Sequence, residues 1–174
     1  LNWIDPFLKF YKIGSGDLTA YPLLSSIASK GKPIILSTGL SNLKEIIATV
    51  NFLKKENPIY NKKENLSILQ CTSLYPNNIK DANLNVIKTL KQNFNYPIGY
   101  SDHTKGSLAL KTAYTMGAEI LEFHFTDSRT NKKFRDHHIS LTKNEVLDLI
   151  KSIKEISILK GNHQKVLLPK EIST

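Results

Sequence analysis

The run Lys12-Ile13-Gly14-Ser15-Gly16-Asp17 ends an apolar stretch with an ammonium and follows it with a Gly/Ser turn. That combination suits an anion: glycines leave backbone N–H groups accessible, the Ser15 hydroxyl donates, and Lys12 supplies charge. It matches neither a P-loop nor a GxGxxG fingerprint, and a surface lysine before an ordinary turn has the same composition. Hydroxyls recur in Leu36-Ser37-Thr38-Gly39 and in Gln70-Cys71-Thr72-Ser73-Leu74-Tyr75-Pro76. Singly, each is routine turn and capping chemistry; together they would converge on one rim. His103 follows Gly99-Tyr100-Ser101-Asp102, and His124 follows Glu122-Phe123. Neutral imidazole is a common ligand of divalent cations, so two histidines at neighbouring strand ends could share one, with waters completing the shell. His124 alone, between two phenylalanines, reads as a hydrogen-bonded core residue. Further on, Arg135-Asp136-His137-His138 forms a polar loop. As a solvated turn it needs no function; folded over a rim, Asp136 could accept hydrogen bonds from a polyol. His137 and His138 suit metal binding, proton transfer or helix capping, and residue type does not choose among these.

Such residues act together only if a scaffold brings them to one place. Short apolar runs alternate with longer segments of helical period, the pattern of repeated βα units around a parallel sheet. The expected strands are Phe10 to Gly14, Pro33 to Ser37, Leu66 to Cys71, Pro97 to Tyr100 and Glu119 to Phe125. Most are continuously apolar, as strands covered on both faces should be. The expected helices are Tyr21 to Lys30, Leu43 to Lys55, Asn83 to Asn93, Ser107 to Met116 and Lys143 to Leu159. Ser41 or Asn42 can cap the second with Glu45 in its first turn, Gly117 can end the fourth, and Thr142 can cap the fifth. Val146, Leu149, Ile150, Ile153 and Ile156 form an apolar stripe on that last helix, which reads as core. Five units do not close an eight-stranded barrel, and an open doubly wound sheet competes with a barrel segment. Polar clusters at nearly every strand end favour the barrel, which builds its sites there.

The chain of 174 residues, 40% hydrophobic and 22% charged, has the composition of one globular core rather than of a disordered chain. No apolar stretch approaches the ~20 residues of a membrane span, so no membrane partner is expected. Leu1 to Phe10 lacks the basic-then-apolar pattern of a signal peptide, and the first residue is not Met, as in a piece of a longer protein. One cysteine, Cys71, cannot pair within the chain and fits a reducing compartment, with the cytoplasm as the default. The net charge of +9 is scattered over lysines such as Lys44, Lys54, Lys55, Lys88, Lys91, Lys151 and Lys154, on expected helix exteriors. Without interleaved aromatic and basic residues it does not indicate nucleic acid.

Taken in order, YKIGSGDLTAYPLL, GKPIILSTGLSNLKEI, LQCTSLYP, IGYSDHTKG and GAEILEFHFTD resemble the successive motifs of the sialic acid synthase family, which includes legionaminic and pseudaminic acid synthases. The resemblance runs from about Tyr11 to Leu159. It implies an α/β fold, a (β/α)₈ TIM barrel of which residues 1–174 form a partial catalytic domain of about five C-terminal βα units. The N-terminal strands and a C-terminal antifreeze-like domain would be absent. In the family, the front of the barrel carries another phosphate-binding lysine and an acidic residue near the sugar. The antifreeze-like domain reaches a partner's site in a homodimer. The isolated chain is therefore expected to be inactive.

The implied reaction condenses phosphoenolpyruvate with an N-acylated amino sugar such as N-acetylmannosamine, giving a nonulosonic acid and phosphate. By motif, Lys12, Ser15, Ser37 and Ser101 would bind phosphoenolpyruvate, with Tyr75 close by and Ser73 standing where some members have Asn. His103 and His124 would hold Mn²⁺ or Mg²⁺ and act in catalysis, Glu122 would orient the sugar or its water, and Asp136 would contact the sugar. Three residues depart from the family pattern: Phe123 stands for a basic residue, Arg135 for a small residue or proline, and Gln70 where His is frequent. These changes bear on the choice of sugar. Competing readings are another phosphoenolpyruvate-dependent aldol-type synthase, such as a relative of the 3-deoxy-heptulosonate phosphate synthases, and a non-catalytic anion-binding barrel fragment.

Overall fold

The structure, a computed structural model, describes residues 1–172. Five strands, β1 (Tyr11–Ile13), β2 (Ile34–Ser37), β3 (Leu66–Cys71), β4 (Ile98–Asp102) and β5 (Leu121–Phe123), alternate with α1 (Tyr21–Ala28), α2 (Leu43–Glu56), α3 (Val86–Asn93) and α4 (Leu108–Thr115). Helix α5 (Lys143–Lys160) and the short α6 (Pro169–Ile172) follow. All strands are parallel, in the order β1-β2-β3-β4-β5. Each strand is thus added beside the last in one direction, whereas a doubly wound sheet reverses direction at a switch point. Crossovers of one hand that advance in one direction put their helices on one face and curl the sheet. The molecule is accordingly a curled half-barrel, and the doubly wound alternative falls.

Strand alternation divides the residues between two faces. Tyr11, Ile13, Ile34, Leu36, Leu66, Ile68, Ile98 and Tyr100 pack with Leu24, Ile27, Val50, Leu53, Ile87, Leu90 and Leu110 of the helices to form the core. The intervening positions face the concave side. There the register aligns Cys71 with Ser101 and Ser101 with Glu122. Lower down, Gly99 lets the strands approach: a Cβ on it would stand 2.4 Å from Leu69 Cδ2 and 2.5 Å from the Ile120 carbonyl oxygen.

Local chemistry fixes the helix ends. Asn42 caps α2, its side chain accepting from the Glu45 N–H at 3.1 Å while the Glu45 carboxylate accepts from the Asn42 N–H at 2.8 Å. Thr142 and Glu145 make the same reciprocal box on α5, and Gly117, at φ 93°, follows the end of α4. Most boundaries differ from expectation by one to three residues, and three of the differences have a visible local cause. Helix α1 stops at Ala28, because the chain turns there through Gly31 at φ 66°. Asn83 adopts φ 46°, a left-handed conformation, so α3 begins only at Val86. Strand β5 ends at Phe123 rather than Phe125, because the chain then exchanges hydrogen bonds with Leu141 instead of β4: Leu141 N–H donates to the His124 carbonyl at 2.8 Å, and Thr126 N–H to the Leu141 carbonyl at 3.0 Å. The stripe on α5 also divides: Leu149 is buried and Val146 and Ile153 pack on the core, but Ile150 is exposed. Among the described residues, no helix is long and apolar enough to cross a membrane.

Candidate functional site

The C-terminal ends of the strands surround a concave cavity of about 440 Å³ whose walls include Lys12, Ser15, Ser37, Tyr75, Ser101, Glu122 and both strand-end histidines. Strand alternation turns Lys12 inward from β1, between buried Tyr11 and Ile13. Its ammonium donates to Ser37 Oγ at 2.8 Å and to the Ile13 carbonyl at 3.0 Å, and lies 3.4 Å from Glu122 Oε1. Ser37 Oγ in turn donates to Glu122 Oε2 at 3.4 Å. A cation, a hydroxyl and a carboxylate from β1, β2 and β5 are thereby joined in one network. Ser15 Oγ accepts from the Gly39 N–H at 3.0 Å. Gly39 is required for that approach, since a Cβ there would stand 2.8 Å from Ser15 Oγ.

Across the cavity, the His103 and His124 rings are 5.3 Å apart, centre to centre. His103 Nδ1 is 2.9 Å from the Thr72 carbonyl, which can only accept, so Nδ1 carries the proton and Nε2 keeps its lone pair in the neutral ring. Burial lowers the pKa of His124 and outweighs the opposing pull of Asp136, whose Oδ2 lies 3.6 Å from His124 Nδ1. Both imidazoles can therefore present a neutral nitrogen, the donor a divalent cation needs. Among the described residues no group of three or more His, Cys, Asp and Glu is arranged to hold a metal ion. A cation held by the histidine pair alone would need further ligands from water, substrate or another segment. Asp136 Oδ1 is a buried carboxylate oxygen with no hydrogen-bond partner, an acceptor available to a bound hydroxyl.

The structure brings Lys12, Ser15, Ser37, Tyr75, Ser101, Glu122, His103 and His124 to one cavity, with Asp136 against His124. Ser73 instead lines an adjoining cavity of about 480 Å³ over α2 and α3, with Thr38, Ser41 and Asp81. His137 is bound to Thr126 Oγ1 through Nδ1 at 2.8 Å and so helps hold its own loop. Sequence reasoning did not single out Cys71 and Phe125 as cavity walls. For Cys71 the signal was present in principle, because it sits on the same side of its strand as the Ser37 and Ser101 positions; burial raises the pKa of its thiol. Nor did residue type foretell that the Arg135 guanidinium lies over the Tyr75 ring, 4.5 Å from its centre.

The sequence matches the model of the NeuB family over residues 2–165. It is 39% identical over 155 residues to the N,N'-diacetyllegionaminic acid synthase of Campylobacter jejuni, covering 89% of this chain and 45% of that protein. To the N-acetylneuraminate-9-phosphate synthase of Mus musculus it is 37% identical over 167 residues, covering 95% and 45%. The fold superimposes, with a TM-score of 0.84, on the N-acetylneuraminic acid synthetase of Leptospira borgpetersenii solved in complex with citrate, at 36% identity and covering 95% of this chain and 56% of that one. The chain spans about half the length of the curated relatives it matches.

Proposed function

Since this chain belongs to the NeuB family, we propose that it forms the phosphoenolpyruvate- and metal-binding part of a synthase that condenses phosphoenolpyruvate with the open-chain aldehyde of an N-acylated amino sugar, yielding a nonulosonic acid and phosphate. The observation that supports this most directly is the convergence of the Lys12–Ser37–Glu122 network and the His103–His124 pair on one concave face. In the proposed reaction C3 of phosphoenolpyruvate attacks the aldehyde carbon, water adds at C2, and phosphate leaves. Lys12, with the hydroxyls of Ser15, Ser37 and Ser101, binds the phosphate and carboxylate, with Tyr75 beside them, whereas Ser73 faces the adjoining cavity and is left out of the contact. Fixing two reactants in register removes an entropic barrier that can reach ~7–11 kcal/mol in well-oriented systems.

His103 and His124 would hold Mn²⁺ or Mg²⁺, which when bound supplies Lewis acidity toward the aldehyde oxygen. Glu122 orients the sugar or the incoming water, and Asp136 Oδ1, which has no hydrogen-bond partner, accepts from a sugar hydroxyl. The whole protein is proposed to act as a cytoplasmic homodimer on N-acetylmannosamine or a related amino sugar.

Calorimetric titration of the chain with phosphoenolpyruvate tests the reading. Lys12→Ala should weaken binding about 10- to 100-fold, the size of a lost charge-assisted hydrogen bond. Equal affinity of the two proteins would remove Lys12 from the anion site. Phosphate release by the full-length protein with N-acetylmannosamine, diamino-sugar derivatives and sugar phosphates would then identify the acceptor.

A further inference from the structure

The ring of Tyr75 has two stacked partners. The His103 imidazole lies 4.0 Å from it, centre to centre, tilted by 33°, and the Arg135 guanidinium carbon lies 4.5 Å from its centre. The same arginine places Nε 3.6 Å from Asp136 Oδ1, the buried oxygen that lacks a hydrogen-bond partner. Asp136 Oδ2 lies against His124. One side chain therefore touches both groups that flank the histidine pair.

Other contacts of the segment 127–138 stay local. His137 bonds Thr126, Lys132 pairs with Asp127, and Arg129 bonds the Ser140 carbonyl and Glu145. Arg135, by contrast, joins the segment to the loop that follows β3, through Tyr75 in the cavity wall. Its planar guanidinium suits it to this task, because it can stack on an aromatic ring while keeping N–H groups in the plane for a carboxylate, which a lysine ammonium cannot.

We infer that Arg135 is a positioning residue, tying the segment 127–138 to the cavity wall at Tyr75 and setting where Tyr75, His103 and Asp136 stand around bound substrate. The inference rests on reading the cavity as the phosphoenolpyruvate site. It is tested on this chain with Arg135→Ala and Arg135→Lys, by tryptic cleavage after Lys132 and Lys133, by NMR of the histidine ring resonances, and by titration with phosphoenolpyruvate. In Arg135→Ala, cleavage should quicken about two- to five-fold, the scale of an exposed cation–π contact. The His103 and His124 resonances should shift, that of His163 should stay, and phosphoenolpyruvate should bind more weakly by a similar factor. Arg135→Lys, which keeps the charge without the planar stack, should restore these readings only in part. Cleavage rates and His103 and His124 resonances unchanged in Arg135→Ala would overturn the role. If they change but neither Lys12→Ala nor Arg135→Ala alters phosphoenolpyruvate binding, the tie stands as a structural feature, and both the anion-site reading and the positioning role built on it fall.

Discussion

The two strand-end histidines, His103 and His124, are set by different means. For His103 it is a hydrogen bond that selects the tautomer: the Thr72 carbonyl accepts from Nδ1–H, so in the neutral ring the lone pair is on Nε2. For His124 it is burial, which lowers its pKa despite the carboxylate of Asp136. The sign of the linked stability follows. Between the lowered pKa and the ordinary value of 6.5, the unfolded chain binds more protons than the folded one. The fold is therefore favoured above that range and loses stability as pH falls through it. Replacing His124 by Ala should lower Mn²⁺ affinity at pH 7.5 by at least the ~10–100-fold that follows loss of a mere ligand-orienting partner. Calorimetry with Mn²⁺ is the check, and unchanged affinity would sink the ligand assignment.

At the scale of the element, the N-terminus of α5 shows how the chain after β5 is fastened. The Glu145 carboxylate accepts from Thr142 N–H at 2.7 Å and from Thr142 Oγ1 at 2.9 Å, and it pairs with Arg129. The Arg129 guanidinium, followed by the Thr142 N–H, pushes its pKa down to about 2. A depressed carboxylate stabilises the fold above its unfolded value of 4.5, and that contribution drains away as pH falls toward 2. Because the side chain is more than one-third exposed, solvent screens most of this gain, and the cap is worth about 1 kcal/mol. Glu145→Gln should lower the melting temperature at pH 7 and flatten its decline between pH 4.5 and 2. Thermal melts across that range decide the matter, and an undiminished acid slope would assign it to other carboxylates.

For the molecule as a whole, the curl of the sheet is what turns separate strand ends into one cavity. Gly99 is a sensitive point of that curl, because on one side a Cβ would meet the Ile120 backbone oxygen, which cannot swing aside as a side chain can. Gly99→Ala should cost about 1–3 kcal/mol through overpacking, read from the midpoint of denaturant unfolding. It should also weaken phosphoenolpyruvate binding, since Ser101 and Glu122 stand above it on β4 and β5. A variant as stable as the parent would show that the two strands can separate at this level without loss.

Legible in the sequence alone were the alternation of five apolar strands with amphipathic helices, a cap at Ser41 or Asn42 for α2 and at Thr142 for α5, and the pairing of polar residue types with strand ends. Those are local properties, fixed by period, burial and side-chain hydrogen bonding within a few residues. Its ordered motifs carried the family resemblance as well. Periodicity did not give strand order, being the same in a barrel and in a doubly wound sheet; polar strand ends and the ordered motifs favoured the barrel, and the pairing β1-β2-β3-β4-β5 bears that out. The early end of β5 depended on Leu141, eighteen residues beyond Phe123, and the stacking of Arg135 on Tyr75 joins positions sixty residues apart. Contacts of that range belong to the tertiary fold, since they arise only when distant segments are carried to one rim. The sequence could nominate Lys12, Glu122, His103 and His124; bringing them to one cavity required the sheet to curl.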